Sequence, residues 1–176
     1  RSVAITDKHG VTRYFNEFGQ LHREGDLPAE INPNHETVLY YKNGLLHRDN
    51  GPALINSHQE CYYQHGAKHR EGDLPALIHF IRHDDGSKEI LSQEYFQNNV
   101  HHREHGPALM WSSGSYQHYR NGLLHNENGP ACHYVENGKV RDEYWLTGVQ
   151  VPKFAHTLVS FRDKFKSDSQ ILFGIT

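Results

Sequence analysis

A phrase that recurs five times constrains this chain more than any other feature. It reads His22-Arg23-Glu24-Gly25-Asp26-Leu27-Pro28-Ala29, then His47-Arg48-Asp49-Asn50-Gly51-Pro52-Ala53. It returns at His69 to Ala76, His102 to Ala108 and His125 to Ala131. Such self-similarity marks a repeat array, in which a unit buries its apolar face by stacking on its neighbours. A histidine-rich chain invites a metal or catalytic reading. Here the histidines must first be explained as periodic architecture.

One unit runs from Ala53 to Arg70. Ala53-Leu54-Ile55 starts a short strand, Asn56-Ser57-His58-Gln59 has turn chemistry, and Glu60-Cys61-Tyr62-Tyr63-Gln64 is rich in strand formers. His65-Gly66 then turns the chain, where sister copies use Asn43-Gly44 and Asn121-Gly122. Asn-Gly tolerates positive φ at both central positions, as a tight type I′ hairpin requires. Proline lacks an N–H, so each Pro-Ala belongs at a strand start. The predicted hairpins are Val3 to Phe15, Ala29 to Tyr41, Ala53 to Tyr63, Ala76 to Phe96, Ala108 to Tyr119 and Ala131 to Trp145. The marker histidines are 25, 22, 33 and 23 residues apart. The long interval gives the fourth hairpin an extra tip, with Arg82, His83, Asp84 and Asp85 projecting. Two copies insert a residue before the proline (Glu24-Gly25-Asp26-Leu27 and Glu71-Gly72-Asp73-Leu74), which a loop accepts and a strand would not.

Adjacent strand residues point to opposite faces. The second aromatics Phe15, Tyr41, Tyr63, Phe96, Tyr119 and Trp145 carry fewer hydroxyls, so they are assigned to the buried side. Ala29 and Ile31, Ala53 and Ile55, Ala76 and Ile78, and Ala108 and Met110 are placed with them. The first members, Tyr14, Tyr40, Tyr62, Tyr95, His118 and Tyr144, then form a ladder on the more exposed side. The swapped register exchanges the two faces. Phe154, Leu158, Phe161 and Phe165 fall at helical spacing behind Pro152, which predicts a helix over 152–166 capping the stack. Ile171, Leu172 and Phe173 read as a closing extended segment. The array therefore spans 1–150, and 151–176 forms a helical cap and tail. No comparable cap precedes Val3, so that edge strand calls for more chain or a partner. A start at Arg1 suggests a trimmed or processed chain.

The composition bounds function. An apolar share of 36% and mean hydropathy of -0.80 suit a thin sheet with one buried face better than a thick sandwich. A formal charge of -3 with no basic block argues against nucleic-acid binding and against an anionic membrane surface. Two cysteines, Cys61 and Cys132, imply no disulfide framework and point to a reducing, cytoplasmic setting.

The units, ending in aromatic-aromatic-x-Asn-Gly, resemble MORN and MORN-like repeats. They are more similar still to the Leu-His-Arg-Glu-x-Gly-Pro-Ala repeat proteins of viral and bacterial sequences. The resemblance covers roughly residues 3 to 150, most closely Tyr40 to Ile55 and Tyr119 to Tyr134. It implies a mainly β chain: an elongated, twisted, single-layer antiparallel sheet of stacked hairpins. It also implies interaction or scaffolding, and a viral or bacterial inhibitor of a host complex would fit. The His-Arg-acid-Gly-Pro-Ala half is this chain's departure from ordinary MORN units.

Successive marker histidines stand two strands apart, roughly 10 Å, whereas zinc ligands lie about 2 Å from the metal. They cannot share an ion, and each imidazole is expected to bond backbone in its own Pro-Ala loop. The repeated Arg and acid (Arg23, Arg48, Arg70 and Arg103 with Glu24, Asp49, Glu71 and Glu104) are expected to form a salt-bridged edge. His101-His102-x-x-His105 is the best candidate metal cluster, with His101 and His105 as ligands. No nucleophile elbow, phosphate loop or kinase lysine accompanies the His47-Arg48-Asp49 tripeptide, so no catalytic residue and no cofactor is assigned. The leading expectation is a non-enzymatic module. It binds a protein partner through Tyr40, Tyr62, Tyr95 and Tyr144 and through Arg82, His83, Asp84 and Asp85. Alternatives are metal- or ligand-dependent activity around residues 101–105 and membrane recruitment by MORN analogy. The oligomeric state stays open.

Overall fold

The computed structural model describes residues 2–160 and 162. Thirteen strands form one antiparallel sheet, laid down as a meander and not closed on itself. The hairpins pair Val3–Thr6 with Thr12–Phe15, Glu30–Asn32 with Thr37–Leu39, and Leu54–Ile55 with Gln59–Cys61. They continue with Leu77–Arg82 and Lys88–Glu94, Leu109–Trp111 and Tyr116–Gln117, and Cys132–Glu136 and Lys139–Leu146. Val149–Val151 lies at the end.

Between hairpins the chain leaves the sheet for two-stranded ribbons. These are Tyr41–Lys42 with Leu45–Leu46, Tyr63–Gln64 with Ala67–Lys68, Phe96–Gln97 with Val100–His101, and Tyr119–Arg120 with Leu123–Leu124. Asn43 and Gly44 have φ of 51° and 81°, and Asn121 and Gly122 have 51° and 79°. Positive φ at both central positions is the I′ geometry expected of Asn-Gly. The ribbons and marker loops line one long edge of the sheet, and the strand turns line the other.

The strand register corrects the expected faces. Leu54 pairs with Cys61, Ile55 with Glu60, and Leu77 with both Cys61 and Glu94. Following the ladder, Leu39, Leu54, Cys61, Leu77, Leu109 and Cys132 share one face. Ile31, Ile55, Ile78 and Met110 share the other and are only half-buried. The core joins Cys61, Ala76, Leu77 and Phe96, with Leu54, Tyr62 and Tyr63 packed against it. First-set Tyr62 packs there as well and Tyr95 is as buried as Phe96, so the aromatics do not divide into a buried and an exposed set. Of the second set, Phe96 joins the core and Tyr63 packs on it, with the leucine face rather than the isoleucine face. The reason is that the turn places Ala53 and Ile55 on the face of Glu60, one residue out of phase with Cys61 and Tyr63.

Ala29, Ala53, Ala76, Ala108 and Ala131 have no exposed surface. Their carbonyls accept the N–H of Tyr14, Tyr40, Tyr62, Tyr95 and His118 respectively. Each alanine thus sits where two units cross, with no room for a larger side chain.

In the long hairpin only Leu77 to His79 and Ser92 to Glu94 pair in register with neighbouring strands, so the stretch beyond them projects, with Lys88 reaching back to Glu60. A bulge between His79 and Phe80 bends it. At the other end Val3 and Ile5 stay 61% and 58% exposed on the edge strand.

The chain is helical over 153–160. The expected apolar cap is corrected here, because Phe154 and Leu158 are exposed. The helix docks by its opposite face. His156, buried, donates from Nε2 to the Asn126 carbonyl (2.6 Å), and the Ser160 hydroxyl donates to the Glu127 carbonyl. Residues two positions apart on a helix point about 200° from each other, so satisfying the loop carbonyls with His156 and Ser160 turns Phe154 and Leu158 outward. The expected stripe members Phe161 and Phe165, the helix beyond 162, and Ile171 to Phe173 lie outside the described residues. No helix among those residues is long and apolar enough to cross a membrane.

Candidate interaction edge

Each marker histidine clips its unit to the next. The backbone N–H of Asn43 donates to Nδ1 of His22 (3.1 Å), and that of His65 to Nδ1 of His47 (3.1 Å). Asn98, Asn121 and Thr147 do the same for His69, His102 and His125 at 3.4, 3.0 and 3.0 Å. The histidines therefore bond backbone, but at the following ribbon's turn rather than in their own Pro-Ala loop. An accepting Nδ1 leaves the proton on Nε2. Nε2 meets the acid two residues on: Glu24 at 2.6 Å, Asp49 at 3.0, Glu71 at 2.8 and Glu104 at 2.9. At His125 the distance to Glu127 widens to 3.3 Å and Nε2 makes no hydrogen bond.

The acids thus serve histidines, and the expected pairing with the adjacent arginines is corrected. The guanidinium carbons of Arg23, Arg48, Arg70 and Arg103 lie over the rings of Tyr14, Tyr40, Tyr62 and Tyr95 at 3.7, 3.7, 3.7 and 3.8 Å. Stacking of this kind contributes about 0.5–2 kcal/mol. Each Nη1 donates to the carbonyl of its own loop's proline: Pro28 (3.2 Å), Pro52 (3.3 Å), Pro75 (3.0 Å) and Pro107 (3.2 Å). The tyrosine ladder is therefore roofed by arginine, and Tyr95 is buried. Tyr144 packs on His156 instead, with ring centroids 5.1 Å apart. In the two short loops Gly51 and Gly106 leave room for the guanidinium to lie flat. A Cβ at either would stand 3.2 Å from Nη1 of Arg48 or Arg103.

Two arginines carry a further partner. Asp26 accepts from Nε and Nη2 of Arg48 at 2.8 and 3.0 Å, and Asp73 from Arg103 at the same distances. These hydrogen bonds hold both carboxyls below their ordinary range. Both aspartates are the extra residues of the longer loops, at φ of 55° and 53°. The insertion thus has a job in the next unit, which its position in a loop did not reveal.

Between successive loops lie equivalent grooves. That of Arg23, Asp26, Tyr40 and Arg48 has about 240 Å³, and that of Arg70, Asp73, Tyr95 and Arg103 about 220 Å³. That of Arg103, His118, His125 and Asn126 has about 320 Å³. The groove of Arg48, Asn50, Tyr62, Gln64 and Arg70 reaches about 850 Å³. The tip residues Arg82, His83, Asp84 and Asp85 are exposed on the opposite long edge. The structure therefore does not bring them together with Tyr40, Tyr62 and Tyr95. His83 pairs with Glu89 at 3.3 Å, and Asp85 accepts the Ser87 N–H at 2.8 Å.

Of the expected metal pair, His101 is already engaged elsewhere. His101 contacts Glu94 through Nε2 (2.9 Å), with its ring between Phe96 and Tyr119. His105 is exposed in the loop beyond Arg103. Among the described residues no group of three or more His, Cys, Asp or Glu could hold a metal ion. Both cysteines are free and buried, and burial pushes their thiols up. The Tyr63 hydroxyl is pushed up to about 12, by burial first and then by Cys61.

In the fifth unit His118 stands where the others have tyrosine, and Asn126 replaces arginine while still donating to the Pro130 carbonyl (3.0 Å). Burial pulls His118 below its ordinary 6.5, against a hydrogen bond with the Gly106 backbone. Its folded value lies below its unfolded one, so the unfolded chain binds that proton more tightly. The contribution of His118 is present above 6.5 and is lost as pH falls toward the lowered value. The drop in urea midpoint from about pH 7.5 to about pH 5.5 should shrink in His118→Tyr. Equal drops in both proteins would assign the pH dependence to other histidines.

No family model, curated protein or solved structure matches this chain.

Proposed function

We propose that this protein is a non-enzymatic module that holds a protein partner along its marker-loop edge. The observation that carries the reading is the recurrence of solvent-open grooves along that edge, with a guanidinium stacked on tyrosine in three of them. Arginine and tyrosine are side chains enriched where interfaces are anchored, each offering flat contact area with directed hydrogen-bonding groups. Tyr40, Tyr62 and Tyr95 serve such a contact through the arginines that cover them. The resemblance to MORN-like repeats supports a scaffold or inhibitor role, and the two buried thiols suit a reducing, cytoplasmic setting.

Lys42 and Arg120 project from the ribbons beside two of the grooves, with side chains 55% and 44% exposed. Affinity capture from a native lysate compares three proteins: wild type, Lys42→Glu with Arg120→Glu, and a tip variant Arg82→Glu with Asp84→Lys and Asp85→Lys. The edge variant should retain at most about a tenth of the captured partner, and the tip variant all of it. Matching circular dichroism spectra establish that all three are folded. Loss in the tip variant alone would move the contact to the opposite edge and overturn the reading.

A further inference from the structure

We propose that the groove between the second and third marker loops is a receptor for an aspartate carboxylate presented by an extended segment of the partner, with Arg70 as the group that holds it. The inference rests on the interaction-module reading and names the chemistry of one of its contacts.

The protein builds this contact twice within itself. Arg48 and Arg103 each stack on tyrosine, donate Nη1 to a proline carbonyl, and present Nε and Nη2 as a fork. In both, an aspartate from the preceding loop fills the fork with the same pair of distances, 2.8 and 3.0 Å. The segment that delivers it is identical in both places: Glu24-Gly25-Asp26-Leu27-Pro28 and Glu71-Gly72-Asp73-Leu74-Pro75. Two parallel N–H···O bonds from a planar fork are a geometry that selects carboxylate.

Arg70 has the same stack on Tyr62 and the same bond to the Pro75 carbonyl. The loop before it, His47 to Pro52, is the shorter kind and has no aspartate at the filling position. Among the described residues no carboxylate pairs with Arg70, and its groove is about 850 Å³ where the filled ones are about 240 and 220 Å³. The other marker position that follows a short loop has no such mismatch, because Asn126 replaces the arginine there and carries no charge. Arg23 also stacks on tyrosine without a carboxylate, but no marker loop precedes it to wall a groove.

The acids that line the Arg70 groove do not oppose a carboxylate ligand. Asp49 is bonded to His47 and Glu71 to His69. The filled grooves are lined by acids too, Glu24 with Asp49 in one and Glu104 in the other, and still hold Asp26 and Asp73 on their arginines. Gln64, whose Nε2 donates to the Arg48 carbonyl, and Asn98 add amide groups to the groove's lining, suited to the backbone of an extended segment.

The probe is the protein's own filling segment as a capped peptide, acetyl-Glu-Gly-Asp-Leu-Pro-amide, titrated into the full chain with the side-chain Nε–H signals followed by NMR. One equivalent should bind, and the Arg70 Nε–H should shift. The peptide with Asn for Asp should bind at least about tenfold more weakly. Arg70→Lys, which keeps the charge but not the fork, should lose about the same factor, and Arg70→Gln more. Asp26→Asn should raise the stoichiometry toward two by vacating the Arg48 groove. Sodium acetate separates sources: if it displaces the peptide at equal concentration, the site reads a free carboxylate and not a segment, which overturns the peptide assignment. No binding, equal binding of the Asn peptide, or no effect of Arg70→Lys in a protein with unchanged urea midpoint overturns the inference. The broader reading fails separately. Loss of partner capture in the Lys42 and Arg120 variant with no peptide effect leaves the module and removes the receptor, whereas peptide binding without edge-dependent capture does the reverse.

Discussion

Phe96→Ala is expected to lower the stability of this protein by about 3–5 kcal/mol, the range for removing a buried aromatic ring that leaves a cavity. Phe96 is 7% exposed and belongs to the cluster with Cys61, Ala76 and Leu77. Those partners come from two preceding hairpins, while Phe96 itself opens the ribbon that follows. One side chain therefore ties three segments of the array. Its ring also flanks His101 at 4.1 Å and lies under Lys68 at 5.0 Å, so its loss loosens two ribbons as well. A single-layer sheet has no second layer to collapse into the void, which places the expected cost in the upper half of that range. Urea denaturation checks it through a lower midpoint at unchanged slope. Phe18→Ala is the control. Phe18 is 78% exposed, and its removal should stay within about 0.5 kcal/mol of wild type. Equal effects from the two would show that the ribbons do not pack on the sheet as described.

The hairpin array was legible because its signals are local. Asn43-Gly44 and Asn121-Gly122 dictate their turns, and the prolines dictate where strands begin. The burial of Ala53 also followed from its place at a strand start. The face carrying Leu54 was not legible, because phase depends on how many residues the turn at Asn56 consumes, and Asn-Ser-His-Gln does not dictate that number. The bonding along the marker-loop edge was illegible for a related reason. Arg48 and Asp49 are neighbours in sequence, but in a loop adjacency says nothing about which side chains meet. Asp49 turns back to His47, and Arg48 finds Asp26, 22 residues earlier. Arg103 likewise finds Asp73 across 30 residues. A signal did exist. The arginines that follow a Gly-Asp-Leu loop are the paired ones, and Arg70 follows the loop that lacks it. The helix over 153–160 was visible by spacing, yet the face it buries was decided by the open carbonyls of Asn126 and Glu127.

His47→Ala should cost about 2–3 kcal/mol, the penalty for stranding a hydrogen-bonded donor plus the loss of a bond to a charged group. His47 is 6% exposed, so its imidazole is sheltered from water that could replace it. Its Nδ1 accepts the His65 N–H at 3.1 Å, its Nε2 meets Asp49 at 3.0 Å, and its ring lies 4.5 Å from that of His65. Alanine removes all three at the junction between two units. His47→Asn separates the terms, since an amide oxygen can take the place of Nδ1 as acceptor while the contact with Asp49 is lost. The asparagine variant should therefore recover about half of the lost stability. Amide exchange at His65 should accelerate most in the alanine variant and less in the asparagine variant, because that N–H is the one left without a partner. His102→Ala makes the same break two junctions away, between Asn121 and Glu104. In an array whose units couple only to neighbours, the two losses should add to within about 0.5 kcal/mol. A double variant markedly less stable than that sum would mean that the units do not couple only through their junctions. Cooperativity would then run through the continuous sheet beneath the histidines.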